Sequence, residues 1–263
     1  MNTELTEEAA AECRRLGIGP ESQADGGLFA SDGEFMALFY NFAYGEVLAE
    51  ASVQLDRRTR SIAILAALLG AQAQEEFAVM LCAALNAGVS AAEIKEIIYQ
   101  SAAYLGFAKT RPFLTAANEV LRQNGAALPL AAEQPAEAAL HSADERRARG
   151  NAVQTAVFGE QMRENWKSAP PERRAVTAWL ASNCFGDYYT RGGLDIRMRE
   201  LITFCFLAAQ GGCEAQLTSH AAGNMAVGNG AQFLVSAVHH ILPYIGYPRS
   251  LNALACIDAA RKK

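Results

Sequence analysis

At 263 residues, half of them hydrophobic, the chain has material for one large or two small domains with a substantial core. A formal net charge of −5 argues against a nucleic-acid binder, which needs a basic footprint. The acidic start "MNTELTEEAAAECRR" lacks the apolar stretch of a secretory signal, and apolar runs such as "IAILAALLGA" stop well short of the about 20 residues that span a bilayer. A cytoplasmic protein with neither membrane nor nucleic-acid partner is expected. The cysteines at 13, 82, 184, 205, 213 and 256 form no C-x-x-C pair and read as reduced thiols, most of them small core residues.

Taken in chain order, the elements are helical and occur twice. "FAYGEVL" from Phe42 is followed by "LDRRTRS" from Leu55, which opens the Ala/Leu/Ile-rich helix "TRSIAILAALLGAQA". "LNAGV" from Leu85 leads to Ser90, with Glu93 three residues on, a capping box. The helix it starts carries Ile94, Ile97, Ile98, Ala102 and Leu105 at helical spacing and ends at Gly106. "YLGFAKT" from Tyr104 closes the first copy. The stretch to residue 150 holds Pro129, Pro135 and mixed charges, and reads as a linker turning helical. "CFGDYYT" from Cys184, "LDIRMRE" from Leu194, "RELITFCFLAAQ", "MAVGN" from Met225 and "YIGYPRS" from Tyr244 then repeat the order at offsets near 140. The expected architecture is all-α, with two tandem helical-bundle copies: residues 1–125, a linker 126–150, and 151–263.

The second copy carries the chemistry. In "GGCEAQLTSH", Gly211-Gly212 break a helix, so Cys213 falls at the next N-terminus. Seven residues return a helix nearly to the same face, placing Cys213, Gln216 and His220 on one stripe. Glu200 lies on the preceding helix, and an antiparallel return brings it beside His220. Glu, Cys and His together make an acid–base or thiol site, with the Cys213 pKa expected below the reference of about 8.5. The competing reading is core packing. Against it, the first copy has Ser61, Ala73, Glu76 and Met80 where the second has Glu200, Cys213, Gln216 and His220. His239-His240 are adjacent and point apart, and no H-x-x-x-H motif occurs, so no metal is expected. The runs Arg57-Arg58-Arg60 and Arg146-Arg147-Arg149 read as solvated faces, and Arg197 and Arg199 as salt-bridge partners.

These segments resemble the carboxymuconolactone decarboxylase family, which includes the alkylhydroperoxidase D-like proteins. The resemblance covers about residues 35 to 122 and 178 to 260, on "YGEV", "LDRRTRS", "AGVSAAEI" and their second-copy counterparts. It implies an all-α fold with six domains per oligomer, hence a homotrimer of this tandem chain, sites completed at interfaces, and no cofactor. The alkylhydroperoxidase pattern puts a Glu at Glu200, a first Cys at Cys213 and a His at His220, but Gln216 stands at the second Cys. The decarboxylase pattern puts a Glu at Glu46 and a His at His220, with Asp187 at the second copy's Glu position. The favoured expectation is a lyase acting on a carboxylated lactone by general acid–base catalysis, with His220 moving the proton, Glu200 together with Glu46 or Asp187 orienting or tuning it, and Cys213 as a polar wall or assisting acid. The alternatives are a thiol peroxidase with Cys213 as peroxidatic thiolate, its resolving thiol external or Cys205 after movement, and a non-enzymatic helical oligomer that binds a ligand or senses oxidation.

Overall fold

The computed structural model describes residues 4–22, 24–50, 55–130 and 142–262. The described residues form helices and connecting turns, with no strand among them. In chain order these are α1 (Glu7–Leu16), α2 (Gly26–Asn41), α3 (Val47–Ala49), α4 (Arg57–Ala71), α5 (Gln74–Asn86), α6 (Ala91–Leu105) and α7 (Phe107–Gln123). They continue as α8 (Ala143–Phe158), α9 (Asn165–Ser168), α10 (Pro171–Trp179), α11 (Ile196–Gln210), α12 (Glu214–Ala226), α13 (Ala231–Ile245) and α14 (Tyr247–Arg261). Wide π-helical turns, Phe42–Glu46 and Leu180–Tyr188, extend α2 and α10. The putting together of copies follows the repeat: α4 and α11 start 139 residues apart, and the next three pairs of helices 140 apart.

Matching local signals start the matching helices. Asp56 accepts from Thr59 N at 2.9 Å to cap α4, and Asp195 accepts from Met198 N at 2.8 Å to cap α11. The Ser90–Glu93 capping box forms at α6. The stretch read as a linker becomes helical at Ala143, where Ser142 and Glu145 form a second capping box.

The two copies share one core. α4 and α11 are buried along almost their whole length, as expected of helices apolar on every side, and pack against each other at the centre. They cross so closely at Gly70 that a Cβ there would lie 2.5 Å from the Phe206 carbonyl oxygen. α6 of the first copy packs on α11 of the second, and α13 of the second packs on α4 of the first. A single apolar cluster therefore draws on both copies, from Leu65 and Phe77 to Phe204 and Ile241.

The basic runs are not plain solvated faces. Arg60 is buried, and it and Arg57 close on the buried Glu12 of α1, the latter with two bonds of 2.9 Å. Arg146 holds Asp187 at 2.5 Å, and Arg149 donates to Gly186 O and Thr190, so both tie α8 to the π-helical turn. These arginines face buried or partly buried acceptors on other elements because α1 packs on the Phe42–Glu46 turn and α5, and α8 on the Leu180–Tyr188 turn, a packing that sequence spacing does not report.

Candidate active site

Gly211 and Gly212, at φ of 68° and 70°, turn the chain so that α12 runs back along α11. Glu200 on α11 and His220 on α12 then meet, with His220 Nδ1 2.9 Å from Glu200 Oε2. Gly223, one turn beyond His220, makes room for the carboxylate: a Cβ there would stand 2.8 Å from Oε2. Asn224 fixes the register by donating to the backbone oxygens of Glu200 and His220, both at 2.8 Å, and Asn229 braces Asn224.

Glu200 is fully buried, and a buried carboxylate needs donors. Tyr189 OH donates to Oε1 at 2.7 Å, and the same hydroxyl lies 2.9 Å from Thr203 Oγ1 and 3.0 Å from Tyr104 OH. Thr203 accepts from Gln100 Nε2 at 2.8 Å, and Gln100 Oε1 accepts from Arg199 at 2.9 Å. The hydrogen bonds thus run without a gap from His220 into the shared core. Burial, and then the Glu200 charge, hold the Tyr189 hydroxyl far above its ordinary range, so it stays a donor. A carboxylate only accepts, so Nδ1 presents its proton to Glu200 and Nε2 is left to exchange a proton at the cleft.

His220 is 8% exposed and borders a cleft of about 1080 Å³. Its ring is walled edge-on by Tyr104, at 5.5 Å between centroids, and by Phe158, at 5.3 Å. Cys184, Cys213 and Gln216 also face the cleft, and no Lys, Arg, Asp or Glu is among the described residues that line it. The arrangement suits proton transfer at Nε2 in largely apolar surroundings, with Glu200 balancing the charge the ring acquires.

The other expected residues are placed less favourably. Cys213 does cap α12 and does line the cleft, but its thiol bonds to Leu207 O at 3.5 Å. Burial, and then the Glu214 charge, push the thiol up, the reverse of the depression expected. Burial and the Glu214 charge outweigh the N-cap position, and two turns of α12, roughly 10 Å of rise, separate the thiol from His220. Cys205 is fully buried, with its thiol far above the ordinary range, so it is no resolving partner at the cleft. Glu46 is exposed and lies outside the cleft lining. Asp187 is taken by Arg146 and Asn183. Arg199 is spent on Glu96 at 3.0 Å, and Arg197 on Asn229 at 3.1 Å. Among the described residues no group of three or more His, Cys, Asp or Glu is placed to hold a metal ion. Among the described residues no helix is long and apolar enough to cross a membrane. Sequence reading missed Tyr189, Thr203 and Tyr104. Thr203 sits at i+3 from Glu200, a spacing that shares its face. Tyr104 stood in the repeat as a marker, its side chain aimed at the other copy.

The model of the carboxymuconolactone decarboxylase family matches residues 33–119 and 174–259, one segment in each copy. The chain belongs to the carboxymuconolactone decarboxylase family. It is 33% identical over 94 residues, 36% of this chain and 69% of the relative, to 4-carboxymuconolactone decarboxylase of Acinetobacter baylyi. A solved structure from Burkholderia xenovorans, described as a gamma-carboxymuconolactone decarboxylase subunit, superposes with a TM-score of 0.54 at 20% identity, covering 97% of this chain and 96% of that one. At that identity the likeness speaks to the fold.

Within this family chain the two family segments differ at the site. Where the second has His220 and the first copy's Tyr104, the first has Met80 and the second copy's Tyr244. Tyr44 and Tyr244 hydroxyls lie 2.6 Å apart and both approach Met80 Sδ, at 3.4 and 3.7 Å. Ser61, at the place of Glu200, bonds to its own helix at Arg57 O. The first copy's position is filled by this packing and holds no acid–base pair.

Proposed function

We propose that the chain is a small-molecule lyase of the carboxymuconolactone decarboxylase type, acting by general acid–base catalysis at His220. The carrying observation is the 2.9 Å pairing of His220 Nδ1 with the buried Glu200 at the edge of an aromatic-walled cleft. In decarboxylation, the bond between the substrate carbon and its carboxylate breaks, CO₂ leaves, and the electron pair spreads into the conjugated carbonyl. His220, as imidazolium, gives its Nε2 proton to that carbon and is neutral afterwards. Uptake of a proton from solvent resets it. A lining without Lys or Arg leaves the reacting carboxylate poorly solvated, which favours the charge-dispersed transition state.

The thiol-peroxidase reading is weaker, because Cys213 is pushed up by burial and bonds to a backbone oxygen rather than to His220. A homotrimer in the cytoplasm remains part of the proposal. Exposed apolar side chains recur at matching places in both copies, Phe35 with Val176, Leu38 with Trp179 and Phe107 with Tyr247, as contact surfaces for further chains would.

The test is CO₂ release from 4-carboxymuconolactone. Wild-type protein should turn it over, His220→Ala should lose roughly 10² to 10⁴ in kcat, and Cys213→Ser should keep most activity. Binding without turnover would instead support the ligand-binding reading. Peroxide turnover abolished by Cys213→Ser would support the thiol enzyme.

A further inference from the structure

A second cavity, of about 470 Å³, lies between α6 and α7 and shares no lining residue with the His220 cleft. Lys95, Glu96 and Tyr99 from α6, Asn118 and Arg122 from α7, and Arg191 line it, with residues 128–130 along one side. Three of these side chains are cationic and one is anionic.

The single carboxylate is already engaged. Glu96, with its side chain 1% exposed, accepts from Arg191 Nε at 2.8 and 3.0 Å and from Arg199 at 3.0 Å. One negative charge therefore answers two guanidinium groups. Among the described residues no carboxylate pairs with Lys95 or with Arg122. Lys95 is 7% exposed, and its ammonium donates to the Asn118 side-chain oxygen, a neutral partner. The Tyr99 ring lies between the cations, 5.8 Å from Lys95 Nζ and 5.0 Å from the Arg191 guanidinium. A ring face softens positive charge without neutralising it.

Burying an ammonium with no counter-charge is costly, and a lysine in a purely structural role would point its head into water or meet a carboxylate. Here burial, and then repulsion from Arg122, pull the Lys95 pKa down, the direction of a site short of negative charge. This excess occurs in a chain whose net charge is −5, so it is a local arrangement rather than a general basic surface.

We propose that this cavity is a binding site for a small anion, the carboxylate or phosphate group of a metabolite, held by Lys95 and Arg122 with Arg191 as the third donor. The donor set fits: an ammonium from α6 and guanidinium groups from α7 and from the segment before α11 offer charge-assisted donors. The volume falls in the range of small-molecule pockets. The site does not depend on the reaction at His220 and stands or falls separately from it.

The experiment is isothermal titration calorimetry on the full chain in low-salt, phosphate-free buffer, with inorganic phosphate and benzoate as separate probes. Saturable binding of at least one is expected, weakened about tenfold or more in Arg122→Gln and in Lys95→Met, and weakening as sodium chloride is added. Arg122 is exposed, so Arg122→Gln leaves the fold intact and decides the matter should Lys95→Met fail to fold. Phosphate binding alone assigns the site to phosphorylated compounds, and benzoate binding alone to carboxylic acids. No binding of either probe up to tens of millimolar, or binding unchanged in Arg122→Gln, overturns the proposal.

Discussion

The Tyr104 ring, from the first copy, stands edge-on to the His220 imidazole of the second, with centroids 5.5 Å apart and planes at 79°. Its hydroxyl lies 3.0 Å from Tyr189 OH, which in turn donates to Glu200. The candidate site is therefore built by both copies. Tyr189→Phe should remove one of the two donors to the buried Glu200 and cost about 1 to 3 kcal/mol, read by urea unfolding. Tyr104→Phe should cost less, since Tyr189 keeps Thr203 and Glu200 as partners. Equal, negligible costs for both would mean that the hydroxyl network contributes nothing to holding the carboxylate.

Glu200→Gln tests how the imidazole is held. The amide is close in shape, so the melting temperature should stay near wild type. The neutral amide no longer balances the positive charge on the ring, so the imidazolium that gives up the Nε2 proton is harder to form. Turnover should fall on the order of 10²-fold with little change in KM. Full activity in this variant would remove Glu200 from the mechanism.

Cys213 should behave as an ordinary to sluggish thiol. Burial and Glu214 raise its pKa, so iodoacetamide labelling at pH 7 should be slower than for a free cysteine and should accelerate only on the alkaline side of about 8.5. Rapid labelling at pH 6, or dimedone trapping after peroxide, would revive the thiol reading.

Acid stability should depend on Glu12. Burial alone would raise its pKa, but hydrogen bonds from Arg57 and Arg60 outweigh that and bring it down to about 2. A depressed folded-state pKa gives stability that is complete above the unfolded value of about 4.3 and is lost as pH falls towards 2. Glu12→Gln should lower stability on the order of 2 kcal/mol at pH 7 and make almost no difference at pH 2. A variant as stable as wild type at pH 7 would refute this.

Glu76 should act with the opposite sign. Burial, and then the Asp25 charge, push its carboxyl up to about 7. A raised folded-state pKa means that its contribution is present below about 4.3 and is lost as pH rises through 7. Glu76→Gln should therefore raise the melting temperature at pH 8 and leave it unchanged at pH 4, by calorimetry. The second copy already has Gln216 at the matching place.

Much of this was legible because it is local. The Ser90 box, the Asp56 and Asp195 caps and the Gly211-Gly212 break are set by residues a few positions apart, and so the helices and their 140-residue offset could be read directly. The pairing of Glu200 with His220 needed only one antiparallel return. What could not be read was which copy faces which. Tyr104, Tyr189 and Thr203 meet because α6 crosses onto α11, and nothing in the spacing of Tyr104 records that. The direction of the Cys213 shift was missed for a related reason. A helix start can be read from two glycines, but the burial that opposes it depends on surrounding packing.

The exchange of α6 and α13 between the copies bears on how such a chain can diversify. A single-copy ancestor could make the same crossing only with its own twin, so any change in the gene would appear at both ends of the contact at once. Joined in one reading frame, the halves are free of that symmetry. Position 80 holds methionine while position 220 holds histidine, and Tyr44 and Tyr244 settle against the first while Tyr104 serves the second. The first half supplies a wall to the Glu200–His220 pair in the second, and each half packs against the other's helices. Cutting the gene at the junction would separate Tyr104 from His220 and leave two fragments, each missing a wall of its own core.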